Sequence, residues 1–413
     1  MSDGSLVDIR RLPSLLDDMS SSADDNMRSF LKSVKVSTLT NANIQIVHTS
    51  PDTIESHTLC AFAEDAAKVI PKLDVKCGGN AFAEVQQLDP SLHVNDPGAT
   101  TQDHFKRMRM GEVWDLLSRY SLRTVSVAIL DTGVNFTDPD LAPLEGIFRK
   151  SSGGIFYGAW NFVNKTSKQN ITHQHGTSIA RLMAAKGNNS YGMVGMAPNV
   201  KLASMQVLDG NGRGNVADIC EGIDMAIDIG VDIISASIRT EFQYMSVASR
   251  DLYRRTLDAA ERKGIIVVSG SGNEGKDAYE CYPCSHGGPY GICVGALNDN
   301  DTYTLARWSN YGSVVDIAAF GLWIQVGLDN EGSPIHYYGT SFATPMVTGT
   351  VAMLMGLGID KQWIKRLLLH YALPIDTQGH PIRPRGGALD VLGTIQGAIS
   401  RFRISPKNIR GRL

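Results

Sequence analysis

No stretch of the 413-residue chain approaches the ~18 uncharged apolar residues of a membrane-crossing helix, so no membrane span is expected. Charge of one sign is also lacking. Lys and Arg number 39 against 42 Asp and Glu, for a net charge of -3. Nucleic-acid binders usually carry a strong basic excess, so nucleic acid is not the expected partner. Cysteine is scarce at six residues, too few for a disulfide scaffold to stand in for a hydrophobic core. The N-terminus, MSDGSLVDIRRLP, lacks the basic-then-apolar pattern of a signal peptide. With Met1 as the natural start an intracellular protein is expected; if a leader has been removed, a secreted one. The Asn-x-Ser/Thr tripeptides at Asn135, Asn164, Asn170, Asn188 and Asn300 are expected to be unused without such a leader. Hydrophobic residues are plentiful at 43%, enough for a large core.

Two regions read differently. Residues 1–104 begin polar and irregular and end in Asp96-Pro97-Gly98, a turn signal expected to be a linker. Within them, 43–49 and 81–88 read as strands and 59–73 as a helix. From 105 to 400, strand and helix alternate. The apolar, β-branched runs 124–130, 201–208, 232–237 and 265–269 read as strands. Val216, Ile219, Cys220, Ile223, Ala226 and Ile227 share one helical face, with Asn215 placed to cap it and Gly230 to end it. A second amphipathic helix covers 247–263, closed by Gly264. This alternation predicts an α/β fold, a three-layer doubly wound and mostly parallel sheet with an N-terminal extra segment. Ligands bind such sheets at the carboxyl ends of strands, where Asp131 and the glycine-rich run after Ser269 fall. Residues 401–413 form a basic tail.

Four segments carry residues suited to acyl transfer. Ser341 precedes an apolar helical run, Met346 to Leu357, with Pro345 expected in its first turn, where a missing N–H costs little. That places a nucleophile at a helix N-terminus, where N–H groups favour negative charge. A serine hydroxyl needs a base, and His175, followed by Gly176 and a helix-like stretch, fits the role near neutral pH. His173 competes but lacks the Gly-Thr context. Asp131 ends a strand, where a buried carboxylate can fix the imidazole tautomer. Asp-Thr-Gly also marks aspartic proteases, but those require a second such loop, and none is present. Asn273 lies in a glycine-rich turn after a buried strand and offers an amide donor for a developing oxyanion.

In the order Asp131, His175, Asn273, Ser341, these residues resemble the subtilase (subtilisin-like serine protease) family over about residues 105–400. Asp131-Thr-Gly133, His175-Gly-Thr177, Gly272-Asn-Glu-Gly275 and Gly339-Thr-Ser-Phe-Ala-Thr-Pro345 match its motifs, with Phe342 where methionine is usual. The resemblance implies a serine endopeptidase acting on protein or peptide substrates. Asp131, His175 and Ser341 would be catalytic and Asn273 would line the oxyanion hole; Ser237, Ile238, Arg239 and Gly272 would bind substrate. Transfer of the acyl group to an amine instead of water is equally compatible with these residues. Two positions depart from the family. Ser178 stands where a second histidine is usual. Ser235-Ala-Ser-Ile-Arg-Thr240 stands where a Ser-x-Gly-Gly run is usual, so substrate entry is expected to be altered or narrowed, and a catalytically inert, protein-binding subtilase fold is the competing reading.

No cofactor or metal is expected for the chemistry. Many subtilases hold structural calcium, so the resemblance allows a structural calcium here, although no acidic loop has a recognisable calcium-ligand spacing. Cys60, Cys77 and Cys220 read as buried small hydrophobes. Cys281, Cys284 and Cys293 are expected to be free thiols, with a disulfide from Cys293 to either neighbour, or a zinc site completed by His286, as alternatives. Family members often carry an N-terminal prodomain, and residues 1–104 have a suitable length for one, or for an uncleaved regulatory segment.

Overall fold

The computed structural model describes residues 35–39, 44–48, 89, 91–298, 302–383 and 386–407. The chain divides into two compact units, Met1–Val85 and Gln86–Leu413. In the first, Lys35–Leu39 and Ile44–His48 pair as antiparallel strands, the second at the place expected from 43–49. The strand and helix expected at 81–88 and 59–73 lie outside the described residues, as do Cys60 and Cys77.

The larger unit is built on seven parallel strands: β1 (Val125–Asp131), β2 (Ala159–Asn161), β3 (Val200–Gln206), β4 (Ile233–Ala236), β5 (Ile266–Gly270), β6 (Gly291–Leu297) and β7 (Ile317–Phe320). Their spatial order is β2-β3-β1-β4-β5-β6-β7. All six pairings are parallel. Because side chains alternate across a strand, both faces of each strand must be covered. Val125, Val127 and Ile129 of β1 enter one core with Ile266 and Val268 of β5, while Ala128, Leu130, Ile234 and Val267 enter the other.

Among the described residues, eight α-helices cover the faces: α1 (Asp103–Arg107), α2 (Met110–Ser118), α3 (His175–Ala184), α4 (Val216–Asp228), α5 (Val247–Arg262), α6 (Thr340–Gly356), α7 (Lys361–Tyr371) and α8 (Val391–Phe402). Helices α4 and α5 pack on one face through Ile219, Ile223, Tyr253 and Leu257. The others share the second core, with Val113, Ile179, Met183, Ile364 and Ile395. Asn215 caps α4 by accepting from the Asp218 N–H, and Gly230, at φ 65°, follows its end. Ser246 caps α5 in the same way.

Helix α6 runs through the core, and every residue in it except Ser341 is buried. It begins at Thr340, ahead of the run expected from Met346, so Pro345 lies inside the helix. The proline removes the N–H that would bond the Ser341 carbonyl, and the Ser237 hydroxyl donates to that carbonyl instead, at 2.9 Å.

The segment expected as a linker also differs. Pro97–Thr101 is a short 3-10 turn with Gly98 and Ala99 buried. The Gly98 N–H donates to the Gly192 carbonyl, and Gln102 bonds both the N–H and the carbonyl of Val194. These residues carry polar groups satisfied inside the larger unit, so they are part of it. At the other end, Arg401 belongs to α8 and faces the Trp363 ring at 5.7 Å.

Candidate active site

The order β2-β3-β1-β4 reverses direction at β1, which opens a crevice at the carboxyl edge of the sheet. Asp131, the last residue of β1, is fully buried there. Its carboxylate accepts the Thr132 N–H at 2.7 Å and meets His175 Nδ1 with both oxygens, at 2.8 and 2.9 Å. His175 opens α3. Thr132 ties that helix start to the end of β1: its hydroxyl donates to the His173 carbonyl and accepts the Gly176 N–H, both at 3.0 Å. Only glycine fits at 176, because a Cβ would lie 2.4 Å from the Gly133 carbonyl oxygen.

Burial lowers the pKa of His175, but the charge of Asp131 and its hydrogen bond outweigh this and hold the pKa above its ordinary 6.5. With Nδ1 engaged by a carboxylate, Nε2 is the free basic nitrogen. His173 does not share this place. Its Nδ1 accepts the His175 N–H at 3.2 Å, with the two rings 6.1 Å apart.

Ser341 is the second residue of α6, in the first turn, whose N–H groups have no intrahelical partner. In the rotamer present its hydroxyl donates to the Ser237 carbonyl at 3.3 Å and not to His175. The next residue, Phe342, meets the His175 ring edge-to-face at 5.5 Å and stacks with Tyr337 at 5.5 Å. Phe342 thus holds the imidazole beside the start of α6.

Asn273 follows β5. Its Oδ1 accepts from the Thr340 N–H at 2.9 Å and the Thr340 hydroxyl at 3.0 Å. A backbone N–H can only donate, so the amide oxygen is the atom held against Thr340 and the NH2 group is left to donate elsewhere. Nδ2 lies 3.4 Å from the position a Gly339 Cβ would take, two residues before Ser341. The loop carrying Asn273 is set by fully buried Asn310, which accepts the Glu274 and Lys276 N–H groups and donates to the Ser271 carbonyl.

All four chemical residues expected from the motifs gather at this edge. Of the residues expected to bind substrate, Ser237 and Gly272 flank it: Ser237 bonds Ser341 in both directions and the Gly272 N–H donates to the Thr340 hydroxyl. Ile238 does not line it. It is 8% exposed and packs with Met245 and Tyr282 in the core behind β4, so its bulk cannot narrow the entry. Arg239 lies on the opposite side of the chain from Ile238, beside Gly272, and pairs with Glu241 and Glu274. Asn310 and Tyr337 lie outside the four motifs; their positioning roles arise from contacts between segments far apart in the chain.

The cysteine expectation needs correction. Cys284 and Cys293 form a disulfide, while Cys281 is free and buried. The two segments bring their Cα atoms to 4.8 Å, within bonding range. The zinc alternative falls with this, since two of its thiolates are consumed. Burial pushes the free Cys220 thiol up to about 11.

Comparison with known proteins agrees with this geometry. Residues 123–386 match the model of the subtilase family. Thermitase from Thermoactinomyces vulgaris is 32% identical over 290 residues, covering 69% of this chain and 93% of the relative. A thermophilic serine proteinase from Bacillus sp. (strain AK1) is 32% identical over 332 residues, covering 76% of each. Among solved structures, a protease from Pseudoalteromonas arctica superimposes with a TM-score of 0.58 at 24% identity, covering 74% of this chain and 99% of that one. A lanthipeptide protease gives the same TM-score at 18% identity, over 73% of this chain and 96% of the other; likeness at this identity speaks to fold alone. The sheet order, the convergence of the four motifs and the family match together place the chain in the subtilase family.

Proposed function

We propose that Asp131, His175 and Ser341 are the working triad of this subtilisin-like serine endopeptidase, with Asn273 and the Ser341 N–H as its oxyanion donors. The observation that carries the reading is the bond between His175 Nδ1 and both oxygens of buried Asp131. It fixes the tautomer in which Nε2 accepts a proton. A peptide carbonyl entering at the start of α6 turns its oxygen toward Asn273 Nδ2. The Ser341 hydroxyl leaves the Ser237 carbonyl by rotation about χ1 and gives its proton to His175 Nε2 as Oγ bonds the carbonyl carbon. Such bonds are often formed only in the substrate complex. His175 returns that proton to the departing amine nitrogen as the peptide bond breaks. Water then repeats the sequence: His175 takes its proton, its oxygen attacks the ester carbon, and Ser341 leaves with the proton. Hydrolysis of an unfolded protein substrate by the wild type, abolished in Ser341→Ala, tests the assignment; equal hydrolysis by both refutes it.

No metal enters these steps. Asp96, Asp138 and Asp140 are among the buried acids. Asp96 accepts the Asn188 and Asn189 N–H groups, Asp140 accepts from Asn189 Nδ2 and the Met193 N–H, and Asp138 pairs with Arg181. These bonds anchor the loop 188–193 to the Asp96 and Asp140 carboxylates through its amides.

The Cys284–Cys293 disulfide favours an oxidising compartment, which supports secretion over an intracellular site. No helix among the described residues is long and apolar enough to cross a membrane. The separate compact unit Met1–Val85 suits a prodomain. Ser341-dependent shortening of the full chain would support that role, and a wild-type chain of unchanged mass under active conditions would oppose it.

A further inference from the structure

Two walls flank Ser341. One is the chain leaving β4, 237–241, whose Ser237 exchanges hydrogen bonds with Ser341. The other is the loop 271–276, which carries Asn273 and is braced by Asn310. Arg239 bridges them. Its guanidinium donates to Glu241 on its own wall and to Glu274 on the opposite one.

Both anchors are themselves fixed. Glu241, with a side chain 9% exposed, also accepts from Lys276 Nζ and Gln243 Nε2, each at 2.6 Å. The Lys276 hydrogen bond above all, together with those from Arg239 and Gln243, outweighs burial and holds the Glu241 carboxyl at about 2. Glu274 accepts from Asn310 Nδ2 at 2.9 Å. The Arg239 stem is pressed over Gly272: a Cβ there would lie 2.8 Å from Arg239 Cδ. Two cations and two carboxylates cancel, so the group adds bulk to the slot and almost no net charge.

A peptide carbonyl attacked by Ser341 with its oxygen on Asn273 has its acyl-side residue between these same walls. We propose that Arg239, held by Glu241 and Glu274, is a specificity-determining residue that caps the slot receiving that residue's side chain. The enzyme therefore cleaves after small residues such as Gly, Ala and Ser and rejects large ones. The inference rests on the assignment of Ser341 and Asn273 and deepens it.

The test profiles wild type, Arg239→Ala and Glu274→Gln on a peptide library varied at the acyl-side residue. Active sites are titrated with a small fluorophosphonate, which does not need the slot. Wild type is expected to cleave after Ala at least about 10-fold more efficiently than after Phe, the scale at which apolar pockets discriminate. Arg239→Ala is expected to raise cleavage after Phe by about 10-fold or more at unchanged labelling. It also leaves one uncompensated carboxylate, so cleavage after Arg and Lys should rise too. Glu274→Gln, which loosens only one anchor, should move the profile in the same direction by less, and it decides the matter if Arg239→Ala fails to fold. Equal cleavage after Ala and Phe by wild type, or unchanged profiles in correctly labelled variants, overturns the inference alone. Failure of wild type to label overturns the catalytic assignment and the inference with it.

Discussion

Replacing Asp131 with Asn isolates the proton relay from the rest of the site. One carboxylate oxygen, Oδ1, accepts the Thr132 N–H at 2.7 Å and must remain an oxygen in the variant. The new NH2 group therefore takes the place of Oδ2, 2.9 Å from His175 Nδ1, where it can only donate. A donor at the Oδ2 position opposes the Nδ1–H that Oδ1 accepts at 2.8 Å and favours the tautomer with Nδ1 as acceptor and the ring proton on Nε2, which cannot take a proton from Ser341. In a serine protease triad this change costs about 10,000-fold in kcat, or about 5 kcal/mol at ~1.36 kcal/mol per decade. A second readout follows from charge. Burial lowers the His175 pKa, and only Asp131 raises it above 6.5. In the variant burial acts alone, so the acid limb of kcat/KM, which reports the free-enzyme base, moves to lower pH. Stability has a matching sign. A histidine whose pKa is raised by folding adds stability that is fully present below its unfolded pKa of about 6.5 and lost as pH rises through its folded value. Urea unfolding at pH 5.5 should therefore show a lower midpoint for the variant, with less difference at pH 8.5. Activity within about 10-fold of wild type and an unmoved acid limb would refute the reasoning.

Asn273→Leu keeps the volume but removes both the donor and the Oδ1 that accepts from Thr340, so kcat should fall by at least about 100- to 1000-fold, the loss seen for such a donor in a subtilisin; steady-state kinetics that show a KM effect alone would count against the role. Reduction of the Cys284–Cys293 bond, which closes a loop with a sequence separation of 9, should lower stability by about 2–3 kcal/mol, read as a drop in melting temperature with dithiothreitol that Cys284→Ala/Cys293→Ala no longer shows. Asp316, with its side chain 2% exposed, pairs with Lys365, whose side chain is 9% exposed. Burial lowers the Lys365 pKa against the pull of that carboxylate. Asp316→Ala leaves the buried ammonium with the Gly288 and Gly291 carbonyls but no counter-ion and should cost about 3 kcal/mol in denaturant unfolding.

Much of this site was legible because its motifs end secondary-structure elements. The β-branched run before Asp131 had to be a strand, and Asn215 and Gly230 bracket a helix in the way that caps and terminators do. What stayed hidden depends on groups far apart in the chain. Local pattern placed Pro345 at a helix start, but the Ser237 hydroxyl substitutes for the lost N–H and lets α6 begin at Thr340. Pro97-Gly98 has the composition of a linker, but Gln102, Gly192 and Val194 satisfy its surroundings from within the larger unit. Ile238 and Arg239 both stand where glycine is usual, but adjacent residues of an extended chain point to opposite sides, so one is core and the other faces Glu274. The spacing of Cys281, Cys284 and Cys293 could not choose among thiols, zinc and disulfide, because the choice is made where β6 lies relative to the 284–286 turn.

The most direct test of the account is peptide mapping of the intact protein after reaction with a fluorophosphonate. A single phosphonyl adduct on Ser341, absent after denaturation before reaction and lost in His175→Ala, is the predicted result. Modification of some other serine, or none at all in folded wild-type protein, would contradict it.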